Sequence, residues 1–99
     1  MDGLRETALG SVLAERERQD TKWGEQNHDP FTYLAVLTEE VGEFAQAALR
    51  FRFRDPREVT AGGAGLSDQL RTEAVHTAAV ALAIVECLDR GKWTWAGKE

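Results

Sequence analysis

Two stretches of this chain carry side chains of the kind that hold a cation. In LAVLTEEVGEFAQAAL, Glu39, Glu40 and Glu43 stand close together, and in EAVHTAAVALAIVE, Glu73 precedes His76 by three residues. The pairs Glu40/Glu43 and Glu73/His76 are each spaced to meet on one face of a helix, one turn apart. The glutamates receive no local relief: no basic residue occurs between Lys22 and Arg50, and the positive end of a helix dipole fades within its first turn. Like charges three and four residues apart therefore weaken the helix that carries them. At about 100° per residue, Val36, Glu40, Glu43 and Ala47 form one narrow stripe with Glu39 at its edge. Carboxylates set among small apolar residues are poorly placed for solvent and suited to a hard cation such as Mg²⁺ or Mn²⁺. The competing readings are a solvated acidic face for the glutamates and a hydrogen-bonded core residue for His76.

Helices must position these pairs. Residues 4–20 carry Leu4, Ala8, Leu9, Val12, Leu13 and Arg16 at helical spacing. Residues 21–29, TKWGEQNHD, have no period and contain Gly24 and Asn27, which predicts a loop bearing Lys22, Trp23, Gln26 and His28. An indole there must cap the core or stack on something. Asp29-Pro30 predicts the start of a helix that runs to about Phe51, with a second apolar arc of Leu34, Leu37, Val41, Phe44, Ala45 and Ala48. Arg50, Arg52 and Arg54 alternate with phenylalanines ahead of Asp55-Pro56, a fraying helix end and turn whose arginines are solvated or available to phosphate. Residues 56–61 suggest a short helical turn. Gly62, Gly63 and Gly65 read as a plain connection, because the Lys-Ser/Thr of a phosphate loop is missing. A last helix is expected from near Ser67, a plausible cap, to just before Gly91, followed by a tail with Lys92, Trp93 and Trp95.

The whole is an all-α pattern on 99 residues, one domain spanning 1–99. A net charge of −5 argues against a nucleic-acid groove but leaves room for a nucleotide held through metal ions. The single Cys87 fits a reducing compartment and a place in the core. The N-terminal residues lack the apolar run of a signal peptide, and the uncharged run 74–85 is too short to cross a bilayer. The expectation is a soluble cytoplasmic domain that does not meet a membrane. That same run, apolar on nearly all sides, is more than two other helices can cover. It implies a homodimer or higher homo-oligomer, an antiparallel helical bundle whose four-helix-like core is completed across the interface.

These residues resemble the all-α nucleoside triphosphate pyrophosphohydrolases, in particular the small MazG-like proteins of phage and bacteria, relatives of dCTP pyrophosphatases and dimeric dUTPases. The resemblance rests on E-x-x-E at Glu40/Glu43, the later acidic motif begun by Glu73, the segment RERQDTKWGEQNH from Arg16 to His28, and EAVHTAAVALAIVE. It covers roughly residues 13–93. It implies Mg²⁺-dependent cleavage between the α- and β-phosphates of a ribo- or deoxynucleoside triphosphate, yielding monophosphate and pyrophosphate, in the manner of a nucleotide-pool house-cleaning enzyme. Carried over by position, Glu40, Glu43 and Glu73 would be metal ligands, with His76 where the family has Asp. That departure favours Mn²⁺ relative to Mg²⁺, since imidazole suits transition metals. Glu39 would orient or deprotonate the attacking water. The WGEQNH segment would be part of a substrate loop, with Lys22 and Arg50 on phosphates, Trp23 stacked on the base, and Gln26 and His28 beside it.

Two other classes fit the same residues. One is a family member that binds or senses nucleotide without turnover, for which the His76 departure speaks. The other is a structural helical dimerisation module, for which the apolar last helix speaks.

Overall fold

Asp29 accepts hydrogen bonds on one carboxylate oxygen from the Phe31 and Thr32 amides, and on the other from the Thr32 hydroxyl at 2.7 Å. Pro30 follows as the first helical residue, so the start of the glutamate-bearing helix is fixed by local chemistry alone. In a computed structural model that describes residues 2–54 and 65–93, the elements are α1 (Asp2–Trp23), α2 (Pro30–Arg52) and α3 (Leu66–Arg90). Among the described residues there is no strand, and the fold is all-helical.

Helix ends depart from the sequence pattern in two places. α1 continues through Trp23, so Lys22 and Trp23 belong to its last turn and not to the loop. The cause is Gly24, whose φ of +73° ends the helix while its amide still donates to the Asp20 carbonyl at 2.8 Å. α3 is capped by Gly65 rather than by Ser67, with the Asp68 carboxylate accepting from the Gly65 amide at 3.3 Å. Its other end is as expected: Gly91, at φ +70°, closes the helix on the Leu88 carbonyl. α2 runs through Arg52, and the Arg54 guanidinium covers the Phe51 carbonyl at 2.6 Å. The expected turn at 56–61 and the Gly62-Gly63 connection lie outside the described residues, as does Trp95.

α3 is the central element. It packs against α2 and against α1, whereas α1 and α2 do not pack on each other among the described residues. The buried apolar residues are Tyr33 and Ala47 on α2, with Ala79, Val80 and Cys87 on α3. Three of these are alanine or cysteine, which lets the two backbones approach closely but buries little apolar area. Cys87 is a free thiol with no exposure, as its apolar setting predicts.

α1 is held differently from what its leucines suggest. Leu4, Leu9 and Leu13 remain exposed, and the side turned to α3 carries Val12, Glu15, Arg16 and Gln19. Arg16, only 8% exposed, donates to both carboxylate oxygens of Glu86, at 2.5 and 3.3 Å, and reaches Gln19 and Asp20 as well. The Glu86 contact raises the guanidinium pKa further, against the opposing effect of burial. This forked, charge-assisted pair is a directional tie between α1 and α3, joined by Arg71, which donates to the Ser11 hydroxyl at 2.9 Å.

The apolar run of α3 is buried on one side only within a single chain. Ala74, Ala78, Ala81, Val85 and Leu88 form an exposed stripe, opposite His76, Val80, Ala83 and Cys87 at helical spacing. On α2, Leu34, Val41 and Phe44 are exposed as well.

Candidate metal centre and its cleft

Packing of α2 along α3 brings the two acidic motifs together. Glu40, Glu73 and His76 each offer a ligand atom, and these atoms lie within 4.8 Å of one another. All three side chains are half-buried. One oxygen of Glu40 and one of Glu73 are buried without a hydrogen-bond partner. An unsatisfied buried acceptor costs about 1–3 kcal/mol, and two of them side by side in a helical domain call for an explanation. A cation between them supplies one.

The electrostatics point the same way. Burial holds the Glu40 carboxyl above its ordinary pKa and the charge of Glu43 pushes it further up; His76 opposes them, and Glu73 and Glu39 add lesser upward pushes. A dication placed among these groups would reverse that logic. Among the described residues, no ion pair involves Glu39, Glu40 or Glu43.

His76 sits between two carboxylates. Its Nδ1 lies 3.5 Å from Glu73 Oε1, the same oxygen that lacks a hydrogen bond, an ion-pair distance without hydrogen-bond geometry, and its Nε2 lies 3.7 Å from Oε1 of Glu15 on α1. Glu15 is 12% exposed and paired with Arg18. Nothing in the sequence singles it out from the charged run Glu15-Arg16-Glu17-Arg18; it turns inward beside Arg16 on the face of α1 that packs on α3.

The three helices enclose a cleft of about 720 Å³, within the range of small-molecule sites. His76, Val80 and Ala83 of α3 form its floor. One wall is α1 with Glu15, Lys22 and Trp23; the other is α2 with Tyr33, Glu39, Glu40 and Glu43. Gln26 and His28 close the far end. Trp23 does not cap the core: it is 55% exposed, and Lys22 Nζ lies 4.8 Å from its ring centroid. The His28 ring meets that of Tyr33 edge-on at 5.0 Å.

Most of the sequence-expected site residues thus line one cleft: Lys22, Trp23, Gln26 and His28 at one end, Glu39, Glu40, Glu43 and His76 at the other. Glu73 completes the triad, while Glu43 is exposed at the rim and outside it. Arg50 stands apart, lining a smaller cavity of about 350 Å³ that also touches Glu43 and Glu73. Comparison of the chain with protein families, with curated proteins and with solved structures gives no match.

Proposed function

We propose that this chain is a metal-dependent nucleoside triphosphate pyrophosphohydrolase of the MazG-like kind, a hydrolase of phosphoric anhydride bonds that converts a (deoxy)nucleoside triphosphate to the monophosphate and pyrophosphate. One observation carries the reading. Glu40 and His76 of the triad, which holds two unsatisfied carboxylate oxygens, line a cleft whose other end presents an indole, an amine and an imidazole. Without a cation, this acidic end of a chain of net charge −5 repels a triphosphate. Glu40, Glu73 and His76 are the inner ligands, with Glu43 at the rim, and the imidazole tilts the preference from Mg²⁺ toward Mn²⁺. The ion supplies charge neutralisation at the phosphoryl oxygens and a more acidic attacking water. Glu39, exposed on the same wall, accepts the proton of that water. Lys22 neutralises a phosphate and Trp23 offers its free face to the base. Arg50 reaches the phosphate chain only from the smaller cavity.

The functional unit is a homodimer in this reading. The exposed stripe of α3 and the apolar residues of α2 are what a second copy would cover, completing a four-helix core that one chain lacks. Role and place follow the same line: nucleotide house-cleaning in the cytoplasm. No described helix is long and apolar enough to cross a membrane. A sensor that binds nucleotide without turnover is the second reading, favoured by His76 at the position where the family has Asp.

The test is a screen of ribo- and deoxynucleoside triphosphates with Mg²⁺ or Mn²⁺, reading monophosphate and pyrophosphate directly. Diphosphate with orthophosphate as products would overturn the assignment of the cleaved bond. A nucleotide-dependent rise in melting temperature without products would favour the sensor. No shift with metal or nucleotide would leave the helical dimerisation module.

A further inference from the structure

The segment between α1 and α2, residues 24–29, has no helix or strand to fix its backbone, yet it contributes Gln26 and His28 to the cleft. Its conformation is set from α3. Arg90 Nη2 donates to the Gln26 carbonyl at 2.9 Å and to Asn27 Oδ1 at 3.0 Å, while Nε donates to the same Asn27 oxygen at 3.1 Å. Glu25 lies 3.5 Å from both Arg90 Nε and Lys92 Nζ, and it also accepts from the Asn27 amide nitrogen at 2.9 Å. The buried Tyr33 adds its hydroxyl, which donates to the Gln26 carbonyl at 3.0 Å. The Gln26 carbonyl and the Asn27 side chain are therefore held by one planar guanidinium fork, a geometry that an ammonium cannot reproduce.

Arg90 stands on the same stripe of α3 as His76, Val80, Ala83 and Cys87. At helical rise, His76 and Arg90 are about 21 Å apart along the axis. The cleft therefore has two ends tied to one helix, an acidic end at His76 and a segment end at Arg90. Gly91, with its positive φ, ends the helix one residue later and leaves Arg90 in the last turn, beside the segment.

We propose that Arg90 is the positioning residue of the cleft's far end: by locking residues 25–28 it shapes the pocket for the organic part of the ligand, independently of the acidic end that holds metal and phosphate. This rests on the nucleotide reading above and assigns to α3 the control of base and sugar affinity. Lys92 reinforces the lock through Glu25, and Tyr33 does so from below.

The experiment compares two Mn²⁺-supported ligands by calorimetry. One is methylenediphosphonate, which has no organic end; the other is a panel of α,β-methylene deoxynucleoside triphosphates, which resist cleavage at the reacting bond. In Arg90→Gln, nucleotide-analogue affinity falls about tenfold or more through the lost ordering of the segment, while methylenediphosphonate affinity stays within about twofold. Amide exchange at residues 25–28 accelerates in the same variant. Arg90→Lys, able to reach one acceptor at a time, recovers part of both effects. Tyr33→Phe, which removes one hydroxyl and keeps the ring, gives a smaller loss with the same ligand selectivity. Equal losses for both ligands in Arg90→Gln, or no loss for either, or unchanged amide exchange, would overturn the proposal while leaving the nucleotide reading intact. A wild-type protein that binds methylenediphosphonate but none of the nucleotide analogues would instead sink that reading, and this proposal with it.

Discussion

Replacing Glu40 by Gln should move the stability of the metal-free and metal-loaded protein in opposite directions. In the metal-free state, Glu40 is raised in pKa by burial first and by Glu43 next, and one of its oxygens lacks a partner. The amide of Gln removes the charge and adds a donor to a cluster whose ligand atoms lie within 4.8 Å of one another. A net hydrogen bond is worth about 0.5–1.5 kcal/mol, so about 1 kcal/mol is a fair expectation for a half-buried site. In a domain of this size that corresponds to a rise of roughly 4–8 °C in melting temperature. With a dication at about a hundredfold over its Kd, the wild type gains about 2.7 kcal/mol that the variant loses. The two melting curves should therefore cross: Glu40→Gln is higher in EDTA and lower in millimolar Mn²⁺, at fixed protomer concentration. The pH dependence has a definite sign. A carboxyl raised in the folded state contributes stability that is complete below its unfolded pKa, near the ordinary 4.5, and is lost as pH rises through the raised folded value. The wild type minus Glu40→Gln difference in EDTA should thus grow more negative with pH over that window, then level off. A variant less stable than wild type in EDTA, or one that keeps the full Mn²⁺ shift, would refute the reasoning.

Three further outcomes follow from the geometry. Ala81 lies on the exposed stripe, so Ala81→Asp should dissociate the proposed dimer with the monomer's helicity kept, whereas Val80→Asp puts an unpaired charge under the cleft and should unfold the chain, a cost of several kcal/mol; sedimentation and far-ultraviolet circular dichroism separate the two, and a wild type that sediments as a monomer, or an Ala81→Asp variant that does not dissociate, would remove the stripe from the proposed interface. Arg16→Ala should cost about 1.5 kcal/mol in urea unfolding, because it removes charge-assisted hydrogen bonds made by a buried guanidinium while Glu86 stays partly solvated; a cost under half of that would mean the fork is an exposed pair of little weight. His76→Asp should lower metal-free stability by adding a charge beside Glu15 and Glu73, yet raise the Mg²⁺/Mn²⁺ activity ratio; an unchanged ratio would return His76 to a packing role.

What could be read from the chain divides along a physical line. Features with a local cause were legible: the helix start at Asp29-Pro30, the stop at Gly91, and the one-turn contact of Glu73 with His76. Each depends on residues within a turn of one another. The rotation of α1 was not, since Arg16 chooses Glu86 across 70 residues and overrides the leucine pattern. With Arg71, which donates to the Ser11 hydroxyl at 2.9 Å, that contact ties one face of α1 to α3. Glu15 lies toward His76 and, two turns on, Lys22 and Trp23 line the same opening. Gly24 matters for the same reason: by letting the helix run to Trp23 it places the indole on a rigid element instead of on a loop. The loop that remains is short and pinned by Arg90, another long-range arginine whose partners are 63 and 64 residues away. Both guanidinium forks, Arg16 on Glu86 and Arg90 on the segment, thus join α3 near its C-terminal end, and no local pattern announces either. The Glu73/His76 half of the candidate cluster was legible because a helix turn stacks two donors one above the other, whereas Glu40 joins it from α2 without Glu43, its expected mate.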